Sequence, residues 1–256
     1  MIFLLLNNSI RVPVEAFQAM ISALILQAHD FADAWEMLPP RIVASLDELT
    51  PNERADHLTI CTVTIEDSAP DAQDELGDHS IDEDGNPQAR ILVDVSMAAA
   101  GSTDPKIAVC PVLSHEILEA MGDLYANKWA NDSIGAMWAL EVCDPVQGDT
   151  YLEDGCSLSN YVLPGWFDSL ARIRGNATNR MGTPIAPFEI APNGYAIRIN
   201  EVGDAEPVFG EKVTPERKIK ALRGRLGRRM TATALIKHLE HARRELGEKI
   251  AAKASA

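Results

Sequence analysis

The residues best equipped for chemistry stand in one short run, Ser114-His115-Glu116-Ile117-Leu118-Glu119. His115 and Glu119 are four apart, so on a helix both side chains leave the same face and can share a divalent cation. Glu116 lies about 100° around the helix from His115. A carboxylate in that place serves as general base on a cation-bound water in helices that carry His-Glu-x-x-His, and here Glu119 replaces the second imidazole. Carboxylate is an acceptable zinc ligand, but its negative charge makes bound water less acidic than in a more His-rich site. The spacing alone is weak, because a surface helix often brings one His and two Glu together.

More acids follow. Gly122-Asp123 comes seven residues after His115, and Trp138-Ala139-Leu140-Glu141-Val142-Cys143-Asp144-Pro145 sets two carboxylates in an apolar segment. Burying an unpaired carboxylate is costly, which favours a ligand role over a decorative one. The expected site holds a divalent cation, zinc first among the choices, on His115 and Glu119, with Asp123 or Glu141 as third ligand. Asp144 is expected to orient a ligand, and Glu116 to act as general base for water attack on a peptide carbonyl. The competing readings are a structural metal closed by protein ligands, or no metal and a set of hydrogen-bonded acids. Cys143 reads as the buried member of its segment rather than a thiolate ligand.

Other signals are weaker. His79 beside Asp78 is either a substrate or metal contact or a turn residue, and the turn is the simpler reading. His238 and His241 share a face but sit in a basic stretch without converging acids, so they read as surface residues. Residues 66–84 contain nine Asp or Glu and end in Asp84-Gly85-Asn86-Pro87. That is a solvated acidic turn rather than a calcium loop, since the Gly and distal Glu of such a loop are missing. No G-x-S-x-G, P-loop or dinucleotide fingerprint occurs.

The elements that must position these residues follow from periodicity. Ile2 to Leu6 is a compact apolar run and predicts a buried strand. Phe17, Met20, Ile21, Leu24, Ile25 and Ala28 recur at helical spacing and predict a helix from Val14 to Trp35, with Pro13 at its start. β-Branched alternation predicts a strand over Thr59–Ile65, and the turn ending at Pro87 leads into another over Ala89–Val95. The helix bearing His115 is predicted over 111–127. A short apolar segment, Met137–Val142, an aromatic-rich stretch, Tyr161–Ala171, and a strand, Tyr195–Ile199, come next. Beyond Pro215 lie basic helix formers broken at Gly224 and Gly227, then a helix from about Thr233 to Lys253.

Composition bounds the whole. The 256 residues are 46% hydrophobic, ample for a packed core, and carry a net charge of -15. Residues 211–256 hold 13 Lys and Arg against 5 Asp and Glu, while residues 1–210 hold 10 against 33. An acidic body with a basic tail results. The body is a poor nucleic-acid binder, whereas the tail suits nucleic acid, an acidic partner or the body itself. Four cysteines without a C-x-x-C pair fit a reducing compartment. No stretch reads as a Sec signal or membrane span.

The run Gly77-Asp78-His79, the turn Asp84-Gly85-Asn86-Pro87, the helix Ser114 to Glu119 with Asp123, the segment Glu141-Val142-Cys143-Asp144-Pro145-Val146 and the stretch Ser159-Asn160-Tyr161-Val162-Leu163-Pro164-Gly165-Trp166-Phe167 resemble tailed-phage and prophage proteins of undefined role. The likeness spans about residues 77–200. The wider pattern is similar to exordium-like and other metallopeptidase-like proteins. In metzincins a helix of this kind turns at the place of Gly122 to bring in a third ligand, but Tyr125 stands at that ligand's offset, and Leu124 stands where relatives often have Pro.

The resemblance implies a zincin-like core. Together with the elements and charges above, the expectation is an α+β, zincin-like sheet packed on the metal-site helix over residues 1–210, with a basic helical tail over 211–256, acting as a zinc-dependent peptide hydrolase in a bacterial cytoplasm or on a virion. The alternative is a non-catalytic virion or assembly protein with a structural metal. Its partners would be a peptide or protein substrate and phage structural proteins.

Overall fold

The computed structural model describes residues 1–56, 59–70, 76–200, 203–223 and 232–254, and its architecture mixes helices and sheets as an α+β chain. Strands β1 (Ile2–Asn7), β2 (Arg41–Val43), β3 (Ile60–Glu66), β4 (Gly77–Ile81) and β5 (Pro87–Leu92) form one sheet in the order β2-β1-β3-β5-β4. The first four in that order run parallel, and β4 closes the edge antiparallel to β5. Parallel strands are covered on both faces, which is why β1 is apolar without alternation. Phe3 and Leu5 enter the main core with Cys61, Val63 and Ile91, while Ile2 and Leu4 meet Val43, Leu49 and Ile60 on the other side.

Two helices cover the main-core face. Helix α1 (Val14–Ala34) starts after Pro13, whose fixed φ suits a helix entry, and buries Phe17, Met20, Leu24 and Phe31. Helix α2 (Pro51–Ala55) is a single capped turn, and α3 (Val93–Ala100) begins where the strand expected to reach Val95 ends at Leu92. After α4 (Pro105–Ala108) comes α5 (Cys110–Gly122), which buries Leu113, Ile117, Leu118 and Met121 against the sheet.

Helix α5 stops five residues short of the expected 127. Asp123 leaves helical geometry, its carbonyl accepts the Ala126 N–H at 3.0 Å, and its Oδ2 accepts the Lys128 N–H at 2.7 Å. These bonds give the released backbone a tight turn, with Ala126 at a left-handed φ of 49°.

A second, antiparallel sheet has the order β11-β10-β7-β6, from β6 (Trp129–Asn131), β7 (Met137–Ala139), β10 (Tyr195–Ile199) and β11 (Ala205–Phe209). Between them, β8 (Thr150–Glu153) and β9 (Cys156–Ser159) form a hairpin, and α6 (Ala171–Arg174) is one turn.

The basic tail contains α7 (Pro215–Arg223) and α8 (Ala232–Ala254). Leu222 and Ala242 share a small core with Ala139, Ile197 and Ala205, so the tail helices rest on the second sheet. Lys218 and Lys249 pair with Glu245 and Glu216 at 2.9 and 3.0 Å. The break at Gly224 and Gly227, residues 71–75 of the acidic run and the His238 side chain lie outside the described residues. No helix among the described residues is long and apolar enough to cross a membrane.

Candidate metal centre

The last two turns of α5 face the edge of the first sheet on one side and the segment after β7 on the other. His115 Nε2 lies 3.2 Å from Glu119 Oε1 and 3.3 Å from Asp144 Oδ1. Ligand atoms of His115, Glu119 and Asp144 all fall within 4.8 Å of one another. A tetrahedral zinc with bonds of about 2.0–2.2 Å holds its ligand atoms about 3.3 Å apart, so the separations suit such an ion. One imidazole and two carboxylates form an acceptable donor set, and three protein ligands leave a position for water or substrate.

Asp144, expected to orient a ligand, therefore stands within the His115 triad itself. Glu141 belongs to a different group, in which its ligand atom lies within 4.8 Å of those of His79 and Glu119. Asp123 is in neither group. It is fully buried where α5 ends, its carboxylate accepts the Lys128 N–H, and its carbonyl accepts the His79 Nε2–H at 3.2 Å. Glu116 is buried, and its Oε2 lies 3.6 Å from His79 Nδ1. Its negative charge also reaches β3, adding to the burial that pushes the Cys61 thiol up to about 12.

His79 is the candidate ligand that sequence reasoning set aside as a turn residue. The turn expected around it is instead strand β4, and the side chain is 1% exposed between the sheet edge and α5. A signal was present. The turn from Asp82 to Asn86, where Asp82 Oδ1 accepts the N–H groups of Asp84 and Asn86, requires a strand before it as well as after it. His79 pairs in register with Ala89 of β5.

Local sequence explains why these segments come together. At Gly77 a Cβ would stand 2.9 Å from Val112 Cγ1 and 3.2 Å from Glu116 Cγ, so only glycine lets β4 lie this close to α5. At Gly194 a Cβ would stand 2.3 Å from the Pro145 carbonyl oxygen, so glycine there admits the backbone that carries Asp144. On the opposite side of α5, the Ser159 N–H donates to Ser114 Oγ at 2.8 Å and ties β9 to the helix.

The cluster is buried except along one margin. The His115 side chain is 15% exposed, against 0% for Glu119 and 4% for Asp144. Burial works against a charged imidazole, yet the Glu119 charge and the hydrogen bonds to Asp144 and Glu119 outweigh it and raise the His115 pKa well above its ordinary value. Burial first, and the Glu119 charge second, push the Asp144 carboxyl up to about 7. Both effects say that the group holds protons when no cation is bound, and that a cation would displace them. Cys143 lies buried beside these residues with its thiol raised well above the ordinary range by burial, which keeps it a thiol. The remaining cysteines, Cys61, Cys110 and Cys156, are likewise free and buried.

His241, on the tail helix, points to a different environment. Its Nδ1 accepts from Arg244 at 2.8 Å and its Nε2 lies 3.5 Å from Glu245. No family model, no curated protein and no solved structure matches this chain.

Proposed function

We propose that the chain is a zinc-dependent, zincin-like peptide hydrolase of phage or prophage origin, with its cation on His115, Glu119 and Asp144. One observation carries the reading: those three donors converge at zinc-like separations on the helix that also presents Glu116, one residue beyond His115. Bound zinc would supply Lewis acidity, lowering the pKa of a bound water and polarising a substrate carbonyl.

Glu116 would do the proton work. Its buried carboxylate accepts a proton from water as the water oxygen bonds to the peptide carbonyl carbon, then passes that proton to the amide nitrogen as the C–N bond breaks. His79 sits against Glu116, with its Nδ1 3.6 Å from Glu116 Oε2. The exposed margin at His115 is the side from which a peptide would enter.

A second reading has its own support. Glu116, Glu119, Glu141 and Asp144 are all at most 5% exposed, as in a structural site sealed from substrate. In that case the chain is a virion or assembly component.

Cleavage of a mixed peptide library by the zinc-loaded wild type and by Glu116→Gln separates the two. The hydrolase reading predicts cleavage by wild type and loss of about 10²-fold or more in Glu116→Gln with zinc retained, in line with the contribution of a general base. A wild type that keeps zinc and cleaves nothing sinks it.

A further inference from the structure

The candidate site has a second half that the His115 triad does not use. Glu119 presents its two oxygens to two different imidazoles: Oε1 lies 3.2 Å from His115 Nε2, and Oε2 lies 3.6 Å from His79 Nδ1. His79, Glu119 and Glu141, all buried, bring ligand atoms within 4.8 Å of one another, and Glu119 is the residue shared with the His115 triad. A carboxylate with one oxygen in each of two donor groups has the arrangement of a bridge between two cations.

The tautomer of His79 adds an independent reason. A carbonyl oxygen only accepts, so the 3.2 Å contact with the Asp123 carbonyl requires the proton on His79 Nε2. In the neutral imidazole, Nδ1 then carries the lone pair, and that lone pair points at Glu119 Oε2 and Glu116 Oε2, each 3.6 Å away. The distance to Glu119 Oε2 exceeds a hydrogen bond but suits two atoms bound to one ion, and of the two carboxylates only Glu119 groups with His79 and Glu141. A backbone carbonyl that fixes one ring nitrogen so that the other can ligate is the usual second layer of a metal-bound histidine. This assigns a purpose to the turn at Asp123: the backbone that ends α5 orients His79.

From this geometry we infer that the protein binds a pair of divalent cations bridged by Glu119, one on His115 and Asp144 and the other on His79 and Glu141. The pair rests on the reading of His115, Glu119 and Asp144 as ligands. Glu116 stays outside both triads and keeps its carboxylate for water.

Manganese(II) is the probe, because two bridged Mn(II) ions about 3.5–4 Å apart give a spin-coupled resonance spectrum that an isolated ion does not. Full-length wild type freed of metal and titrated with MnCl2 is expected to bind two equivalents and to show the coupled spectrum. His79→Gln and Glu141→Gln, which change little in volume, should each bind one equivalent with an uncoupled spectrum. His115→Gln should also bind one, uncoupled, and Glu119→Gln should lose more than either.

Each alternative outcome overturns something definite. One equivalent in wild type, lost in His115→Gln and kept in His79→Gln, ends the pair but leaves the His115 site standing. One equivalent lost in His79→Gln and kept in His115→Gln moves the cation to the sheet edge and ends both readings. No binding of Mn(II) or of Zn(II) by wild type ends both as well. Because the coupled spectrum is read on wild type, misfolding of any variant leaves the test intact.

Discussion

Two His–Glu pairs in this chain have identical spacing and opposite character. His115 and Glu119 on α5, and His241 and Glu245 on α8, are both four residues apart, with closest distances of 3.2 and 3.5 Å. The first pair is 15% and 0% exposed, the second 56% and 31%. Around the first, Asp144 arrives from a distant segment, while around the second Arg244 places a guanidinium on the imidazole. Helical periodicity makes such pairs meet, and it does so equally in both places. A cation site needs in addition a donor brought in by the fold and a medium in which charge is poorly screened. Only α5 has both.

The sharpest way to break this contrast is to remove one imidazole from each pair. His115→Ala is expected to weaken zinc binding by more than about 10²-fold, since changing even the partner of a ligand costs about 10–100-fold. His241→Ala is expected to leave zinc binding unchanged and stability within about 0.5 kcal/mol, as for an ordinary surface position. Competition of each variant with a chromophoric chelator measures both affinities. Equal effects of the two substitutions would erase the distinction between the helices.

Next in size are packing changes that separate the tail from the site. Leu222→Ala opens a hole between α7, α8 and the second sheet and should cost about 2–5 kcal/mol. Zinc affinity should stay at the wild-type value. Gly194→Ala should cost about 1–3 kcal/mol, because its Cβ must push the Pro145 backbone, and should weaken zinc as Asp144 moves. Urea unfolding with parallel zinc titration checks both. A Leu222→Ala protein that lost zinc would mean that the tail core supports the site.

How far these features were legible depends on the range of the interaction that creates them. Helix α1, strands β1 and β3 and the helical place of His115, Glu116 and Glu119 follow from local periodicity, and each could be read within a residue or two. The end of α5 was expected at 127, although Gly122 marked a turn; the bonds of Asp123 to Lys128 and Ala126, which fix the end there, are not local to the helix pattern. The division of acids into Asp144 with His115 and Glu141 with His79 depends on which faces of two remote segments meet α5. His79 was hidden by its neighbours. An acidic run looks solvated, and only the pairing of β4 with β5 turns one of its members into the sheet edge. The tail charge was countable, but its apolar footing on Ile197 and Ala205 was not.

A smaller effect concerns pH in the metal-free protein. Asp144, pushed up to about 7 from an ordinary 3.8, keeps a proton in the folded chain that the unfolded chain releases. Folding therefore takes up a proton between those values, and stability falls as pH rises from about 4 to about 7. The raised His115 works in the same direction: its contribution is complete below about 6.5 and is lost as pH rises through its folded value. Melting temperatures in chelator from pH 4 to pH 8 should show this decline, and Asp144→Asn should flatten its lower part. A slope that is the same in both proteins would contradict it.

Smallest of all is the contribution of the tail's ion pairs. Lys218→Met removes the ammonium partner of Glu245, leaving His241, and should change stability by about 0.2–1 kcal/mol, with the difference fading by 1 M salt, where screening acts over about 3 Å. A salt-insensitive loss above that range would show that the Lys218 ammonium over the Phe209 ring, 5.7 Å from its centroid, contributes more than the ion pair.

Elemental analysis after zinc loading and mild dialysis, made side by side on wild type, His115→Ala and His241→Ala, bears most directly on the central claim. The account predicts at least one equivalent of zinc in wild type, the same amount in His241→Ala, and a loss of one equivalent in His115→Ala. Zinc near zero in wild type, or zinc in His115→Ala equal to wild type, would contradict a cation held by His115, Glu119 and Asp144.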